Sequence, residues 1–293
     1  MSELIPEWVP GPERPRLAGR TAIVSGAGSS GPGIGNGRAA AILMAREGAA
    51  VAALDYDLDS ARETVAMIEQ IGGRAQAIQV DVTDPASCAD AVNAAAESFG
   101  HIHVLVNNVG VNGPQGTAEF VELEEWDRGL RLNLTSMMLM AKHSVPRIRE
   151  AGGGAIVNTA SLSGLLGGYP HLLYPTSKGA IVQMTRAMAA QHGPDGIRVN
   201  CVAPGKVFTP MMEAAGVDAE MREHRRLQSV LKTEGTAWDV ASAAVFLASD
   251  AARWITGVIL PVDAGASAVQ QAGASWPGAK QPAKTTTNGV ETR

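Results

Sequence analysis

Thr21-Ala22-Ile23-Val24-Ser25-Gly26-Ala27-Gly28-Ser29-Ser30-Gly31-Pro32-Gly33-Ile34-Gly35 is the stretch that decides how this chain folds. A short β-forming run ends in a glycine-rich turn, and the Ala-rich stretch that follows, to Gly48, is patterned as a helix. Glycines in that setting let backbone approach a pyrophosphate, while the helix behind them supplies free N–H groups and a partial positive charge. Glycines alone mark any turn; their place directly after a first strand gives them meaning. The next apolar run, Val51-Ala52-Ala53-Leu54, ends at Asp55. A carboxylate there can accept hydrogen bonds from both hydroxyls of an adenosine ribose. It would also repel a 2′-phosphate, and neither Tyr56 nor Pro32 brings a cation to offset that. The expected cofactor is NAD, not NADP.

Outward from this unit the same alternation repeats. A helical pattern runs from Leu58 to Ile71, then comes Ala77-Ile78-Gln79-Val80, then a helix over Ala86 to Phe99. Val104-Leu105-Val106 and Ala155-Ile156-Val157 flank a long helical region near Trp126 to Arg149. Ile197-Arg198-Val199 and Val258-Ile259-Leu260 bring the strand candidates to seven. Strands alternating with helices require crossover connections, so the pattern predicts an α/β fold with a parallel sheet covered on both faces. No repeat and no second domain are visible.

The two ends differ from the middle. Residues 1–16 form an acidic arm with Pro6, Pro10, Pro12 and Pro15, lacking the apolar core of a secretory signal; Trp8 is a candidate anchor. Residues 17–265 are expected to be one domain. Residues 266–293 are Ala-, Gly-, Gln- and Thr-rich, and flexibility is the expectation there, with a tail crossing a neighbouring subunit through Trp276 as the alternative. The 293 residues carry a net charge of −5, which leaves no basic face for nucleic acid or an anionic membrane. His224-Arg225-Arg226 reads as a solvated helix face. No apolar run is long enough to span a bilayer. Cys88 and Cys201 stand apart without metal spacing, as in a reducing compartment, so the cytoplasm is the expected location. His101-x-His103 lacks an acidic or Cys partner at useful spacing and reads as edge-strand histidines; no metal is expected.

Chemistry concentrates at Tyr174-Pro175-Thr176-Ser177-Lys178, with Ser161 thirteen positions before the Tyr. Tyr174 and Lys178 are four apart and share a helix face. A Tyr titrates ordinarily near ~10, and service as a base at neutrality requires its pKa lowered by roughly 3, about 4 kcal/mol. A fixed ammonium supplies part of that and a cationic oxidised nicotinamide more. Ser161 would hold the substrate oxygen that gains or loses the proton.

Assembled, these residues closely resemble the short-chain dehydrogenase/reductase (SDR) family over roughly Leu17 to Gly265. The likeness includes the glycine turn, Asp81-Val82, Asn107-Asn108-Val109-Gly110, Asn133, and the Ser161, Tyr174 and Lys178 set. It continues through Pro204-Gly205-Lys206-Val207-Phe208-Thr209, Ile255-Thr256-Gly257 and Val262-Asp263-Ala264-Gly265. The resemblance implies a Rossmann-type, doubly wound parallel sheet of about seven strands with helices on both faces. It also implies hydride transfer between NAD and a secondary alcohol or ketone. In that scheme Tyr174 is the acid/base, Lys178 lowers its pKa and binds nicotinamide ribose hydroxyls, and Ser161 bonds the substrate oxygen. Asn133 interrupts its helix so that a carbonyl holds a relay water. Gly26, Ser30, Gly33 and Ile34 would meet the pyrophosphate, Asp81 and Val82 the adenine, Asn108, Val109 and Gly110 the ribose region. Pro204, Gly205, Val207 and Thr209 would hold the nicotinamide end. The substrate would lie against Ser163, Tyr169, His171, Met211 and Met212, the Met pair in a mobile lid. The long helical stretches around Trp126–Arg149 and Tyr174–His192 match those that build the tetramer interface of family members, so a homotetramer is expected, with a dimer as the fallback.

The chain departs from the family in three places. Six residues separate Gly26 from Gly33 where three are usual, Val109 stands in place of Ala, and Ser25 in place of Thr. The enlarged turn either caps the nicotinamide end of the cleft or sits in solvent. Two other functions fit the motifs: a 3-oxoacyl-thioester reductase, disfavoured by Asp55 because such enzymes use NADPH, and a non-catalytic NAD-binding redox sensor, disfavoured by the filled catalytic positions.

Overall fold

The computed structural model describes residues 15–269; both Trp8 and Trp276 lie outside the described residues, as does most of the tail. The first unit is β1 (Thr21–Ser25), the glycine turn, α1 (Asn36–Arg46) and β2 (Ala50–Asp55). Next come α2 (Leu58–Gln70), β3 (Arg74–Gln79), α3 (Pro85–Phe99) and β4 (Val104–Asn107). Asp57 begins α2 as its N-cap, accepting from the N–H groups of Asp59 and Ser60, and Asp84 caps α3 in the same way. The strand expected over Ala77 to Val80 in fact starts at Arg74. It is an edge strand, and Arg74 and Gln76 interrupt the apolar run that marks the interior ones.

The second half holds α4 (Leu123–Leu130), α5 (Ser136–Glu150), β5 (Gly154–Thr159), α6 (Leu173–His192) and β6 (Ile197–Pro204). It closes with α7 (Pro210–Ala214), α8 (Ala219–Leu227), α9 (Ala237–Ala248) and β7 (Ile259–Val262). Thr236 and Asp239 form a reciprocal capping box that starts α9. The long helix expected over 126–149 is broken: one wide π turn, Arg131–Thr135, separates α4 from α5.

Seven parallel strands lie in the order β3-β2-β1-β4-β5-β6-β7. β1 is wholly buried, as its unbroken apolar run requires. One face is covered by α1, α2 and α9 through a core of Ala, Val and Ile; the other is covered by α3, α5 and α6. The order reverses between β1 and β4, which opens a crevice at the carboxyl ends of the strands. No helix among the described residues is long and apolar enough to cross a membrane.

Candidate active site

The glycine turn folds back onto β2 and α2. The Gly28 N–H donates to Asp55 Oδ2 at 2.8 Å and the Ser29 N–H donates to Ser60 Oγ at 2.8 Å. α1 then starts at Gly35 without a side-chain cap, so its first N–H groups remain open to an anion. Helix and turn touch so closely that a β-carbon on Gly37 would lie 1.8 Å from the Gly26 carbonyl oxygen. Two buried polar atoms at this turn, Ser29 Oγ and Asn36 Oδ1, have no partner among the described residues. An uncapped helix start, a close glycine packing and orphaned polar atoms together fit a diphosphate. Ser30 itself is exposed, with Gly33.

Around the crevice the other expected cofactor residues converge. Ser25 Oγ donates to the Val106 carbonyl and accepts from the Asn108 N–H, so the hydroxyl kept in place of Thr ties β1 to β4. Asn108 Nδ2 donates to the Gly26 carbonyl at 3.2 Å, and Val109 packs beside the same glycine. The two added methyls of Val109 are accommodated. Asp55 lies next to Val80 in the ladder, and Asp81 Oδ1 accepts from both the N–H and hydroxyl of Thr83, with Val82 buried behind it.

Strand β5 delivers Ser161, and α6 carries Tyr174 and Lys178 one turn apart. Ser161 Oγ accepts from the Ser163 N–H at 3.1 Å and is hydrogen-bonded to Tyr174. Lys178 is buried; its Nζ donates to the Thr159 carbonyl at 3.0 Å and stands 5.8 Å from the Tyr174 ring centre. Gly110 leaves room for it, since a β-carbon there would lie 3.0 Å from Nζ. Burial pushes the Lys178 ammonium down to about 8. Burial also pushes the Tyr174 phenol up, the Ser161 hydrogen bond opposing it and Tyr169 adding to it. Without nucleotide, then, desolvation dominates the phenol rather than the lysine that the sequence reading gave that task. Asn133 lies in the π turn; its Oδ1 accepts from the Val111 N–H at 2.8 Å and its Nδ2 donates to the Val111 carbonyl and to Ser177 Oγ. The side chain therefore bridges the interrupted helix, the segment after β4, and α6.

On the substrate side, the Tyr169 ring lies 5.0 Å from that of Tyr174. His171 stands 6.0 Å from Tyr169, and its Nδ1 accepts from the Gly116 N–H, tying down the loop before α4. Pro204 ends β6, Gly205 packs on Asp263, and Val207 is buried beside Gly235. Thr209 precedes α7, which carries Met211 and Met212.

Sequence reasoning missed two arginines. Arg38, in α1, is 2% exposed, and its guanidinium donates to the Gly33 carbonyl, the Ser60 carbonyl and hydroxyl, Thr64 Oγ1 and Glu63. A lone charge inside an alanine-rich apolar stretch was the available signal. The 224–226 cluster needs correcting: Arg226 pairs with Glu223 near the surface, but Arg225 is half-buried and donates to the Val207 carbonyl. It occupies the inward side of α8.

The family model described as enoyl-(acyl carrier protein) reductase matches residues 31–267. A 2,5-dichloro-2,5-cyclohexadiene-1,4-diol dehydrogenase of Sphingobium indicum is 37% identical over 85% of this chain and 97% of its own length. A cis-4-hydroxycyclohexanecarboxylate dehydrogenase of Sinomonas cyclohexanicum is 37% identical over 86% of this chain and 98% of its own. A crystal structure described as a short-chain dehydrogenase/reductase of Burkholderia xenovorans superposes with a TM-score of 0.82 at 40% identity, covering 87% of this chain and 99% of that one. With the doubly wound sheet and its nucleotide crevice, these likenesses establish that the chain belongs to the short-chain dehydrogenase/reductase family, whose fold is that of an NAD(P)-dependent oxidoreductase.

Proposed function

We propose that the protein interconverts a secondary alcohol and a ketone, with Tyr174 as the acid/base and NAD as the cofactor. The observation that carries this reading is the Ser161–Tyr174–Lys178 group at the carboxyl end of β5, with Ser161 and Lys178 buried, Tyr174 half-buried and the group braced by Asn133. Bound NAD supplies the hydride acceptor for oxidation. Ser161 and Tyr174 hold the alcohol oxygen between them, and Tyr174, as the phenolate, takes its proton as the substrate is oxidised. Lys178, buried and fixed to Thr159, is placed to bind the nicotinamide ribose and to favour the phenolate once a cationic ring adjoins it. Asn133 holds the π turn open to the strand end, a route by which a water could reload Lys178. Asp55 Oδ2 accepts from the Gly28 N–H and Oδ1 from the Asp57 N–H, and each oxygen keeps a second lone pair for the adenosine ribose. Arg38 lies behind Ser60 with its N–H groups taken by Gly33, Ser60, Glu63 and Thr64, which favours NAD over NADP and argues against an NADPH-linked thioester reductase. The two dehydrogenases cited above act, by name, on ring diols and ring hydroxy acids, and a secondary alcohol is common to both.

Tyr174→Phe removes the titrating oxygen while keeping the ring. Turnover of secondary alcohols should fall roughly 10²-fold or more, with NAD affinity nearly unchanged by fluorescence titration. Retention of most activity would refute the mechanism.

A further inference from the structure

A cavity of about 530 Å³ opens at the carboxyl ends of β6 and β7, and Lys206, Val207 and Arg225 line it. Three carboxylates line it too, and each is engaged elsewhere. Glu234 accepts two hydrogen bonds from Arg222, Asp239 accepts from the Thr236 N–H and hydroxyl, and Asp263 accepts from the N–H groups of Gly265 and Ser267. The cations are not so matched. Lys206 Nζ has no hydrogen-bond or ion-pair partner among the described residues. Arg225 gives one N–H to the Val207 carbonyl at 3.3 Å; its charge is attracted by Glu234, which is hydrogen-bonded to Arg222 instead, so Arg225 has no hydrogen-bonded acid.

The pair also has a direction. The Arg225 guanidinium is electrostatically coupled to the Tyr169 phenol, and the Tyr169 ring packs on Tyr174. Val207, to which Arg225 bonds, belongs to the stretch expected at the nicotinamide. Arg225 therefore links the cavity to both the Val207 stretch and the aromatic wall, and Lys206 stands beside it in the same lining. Burial and mutual repulsion push Lys206 below its ordinary range, and burial does the same to Arg225. Two cations in one partly desolvated cavity repel, and an anion between them relieves both.

We propose that Lys206 and Arg225 form an acid-binding subsite, so that the substrate is a secondary alcohol or ketone bearing a carboxylate. This rests on the oxidoreductase reading above, with the carboxylate as the handle that orients the carbinol carbon toward Tyr174. A carboxylate suits the site because the planar guanidinium fork can pair with both its oxygens while Lys206 serves as a point charge.

The test uses unreactive ligands, so it is independent of turnover. Linear and cyclic carboxylates of four to eight carbons, and their primary amides, are titrated into the full-length protein saturated with NADH. Carboxylates should bind at least tenfold tighter than the matching amides. Lys206→Gln and Arg225→Gln should each erase most of that ratio, and Arg225→Lys should keep part of it. Melting curves without ligand identify any variant that is misfolded, and the other two then decide. Tyr174→Phe, which addresses the underlying reaction, should leave the ratio intact. Equal binding of acids and amides to the wild type would overturn the subsite whatever the fate of the reaction. So would variants that weaken NADH binding as much as carboxylate binding, since the cations would then serve the cofactor.

Discussion

Lys178 is an ammonium held away from water, and its titration shapes both stability and activity. Its pKa stands at about 8 against an ordinary 10.5. The unfolded chain therefore holds this proton more tightly than the folded one between pH 8 and 10.5, and stability should rise with pH across that window. Below about 8 both states are protonated and the full burial penalty, roughly 3 kcal/mol, is present. Tyr174, pushed up, works in the opposite sense only above pH 10, where the unfolded chain ionises first. Lys178→Met should accordingly match or exceed the wild type in melting temperature at pH 7 without nucleotide. It should also lack the wild-type rise between pH 8 and 10 and lose most turnover. A variant that melts well below the wild type would show that the ammonium's bond to Thr159 outweighs its desolvation. At Asp55 the expected outcome is a change of preference. Wild-type efficiency with NAD should exceed that with NADP by at least tenfold, and Asp55→Ala should raise the NAD Michaelis constant and narrow the gap. Steady-state kinetics with both nucleotides decide it.

The enlarged glycine turn is the element most particular to this chain. It is pinned by Gly28 to Asp55, by Ser29 to Ser60, by Gly33 to Arg38, and by its tip against Pro210, where a β-carbon on Gly33 would lie 3.4 Å from the proline ring. The turn thus joins β2 and α2 to the start of α7. Deleting three residues from Ser29 to Gly33 should weaken NAD binding or alter the substrate profile. An intact fold with unchanged NAD affinity and profile would mean the excess residues only occupy solvent. Arg38→Met should raise the NAD dissociation constant several-fold, because Gly33 loses its anchor; an unchanged constant would separate the anchor from the cofactor. Much of this element was legible beforehand, since a strand run, a glycine turn and an alanine-rich helix are local signals. The same holds for Asp55 and for Tyr174 and Lys178, whose spacing alone puts them on one face. What escaped were long-range pairings: Arg38 with Ser60 and Thr64, Arg225 with Val207, Asn133 with Ser177. In each, residues of different elements meet only when the sheet closes, and no local periodicity encodes them. The helix interruption that the resemblance implied at Asn133 is present as the π turn; Asn133's bonds to Val111 hold it, and no helix-breaking residue stands in its own five.

Across the whole molecule, all the proposed functional groups collect at one end of a single parallel sheet, while α4, α5 and α6 lie to one side of it. Met138 on α5 and Leu123 on α4 are exposed apolar residues on that side. A homotetramer built on these helices is the expected assembly, with a dimer second. Light scattering at micromolar concentration measures it, and a monomer would exclude both. The strand order carries a further consequence for synthesis on the ribosome. Ala22 in β1 pairs with Val51 on one side but with Val104 on the other, so β1 waits through three helices and two strands for its second neighbour. Until that neighbour emerges, β1 presents a bare apolar edge of unpaired N–H and C=O groups, the kind that templates aggregation. Nascent chains arrested before residue 104 should need chaperone protection to stay soluble, and those long enough to add β4 should need less; pelleting of chains released at each length would read this out.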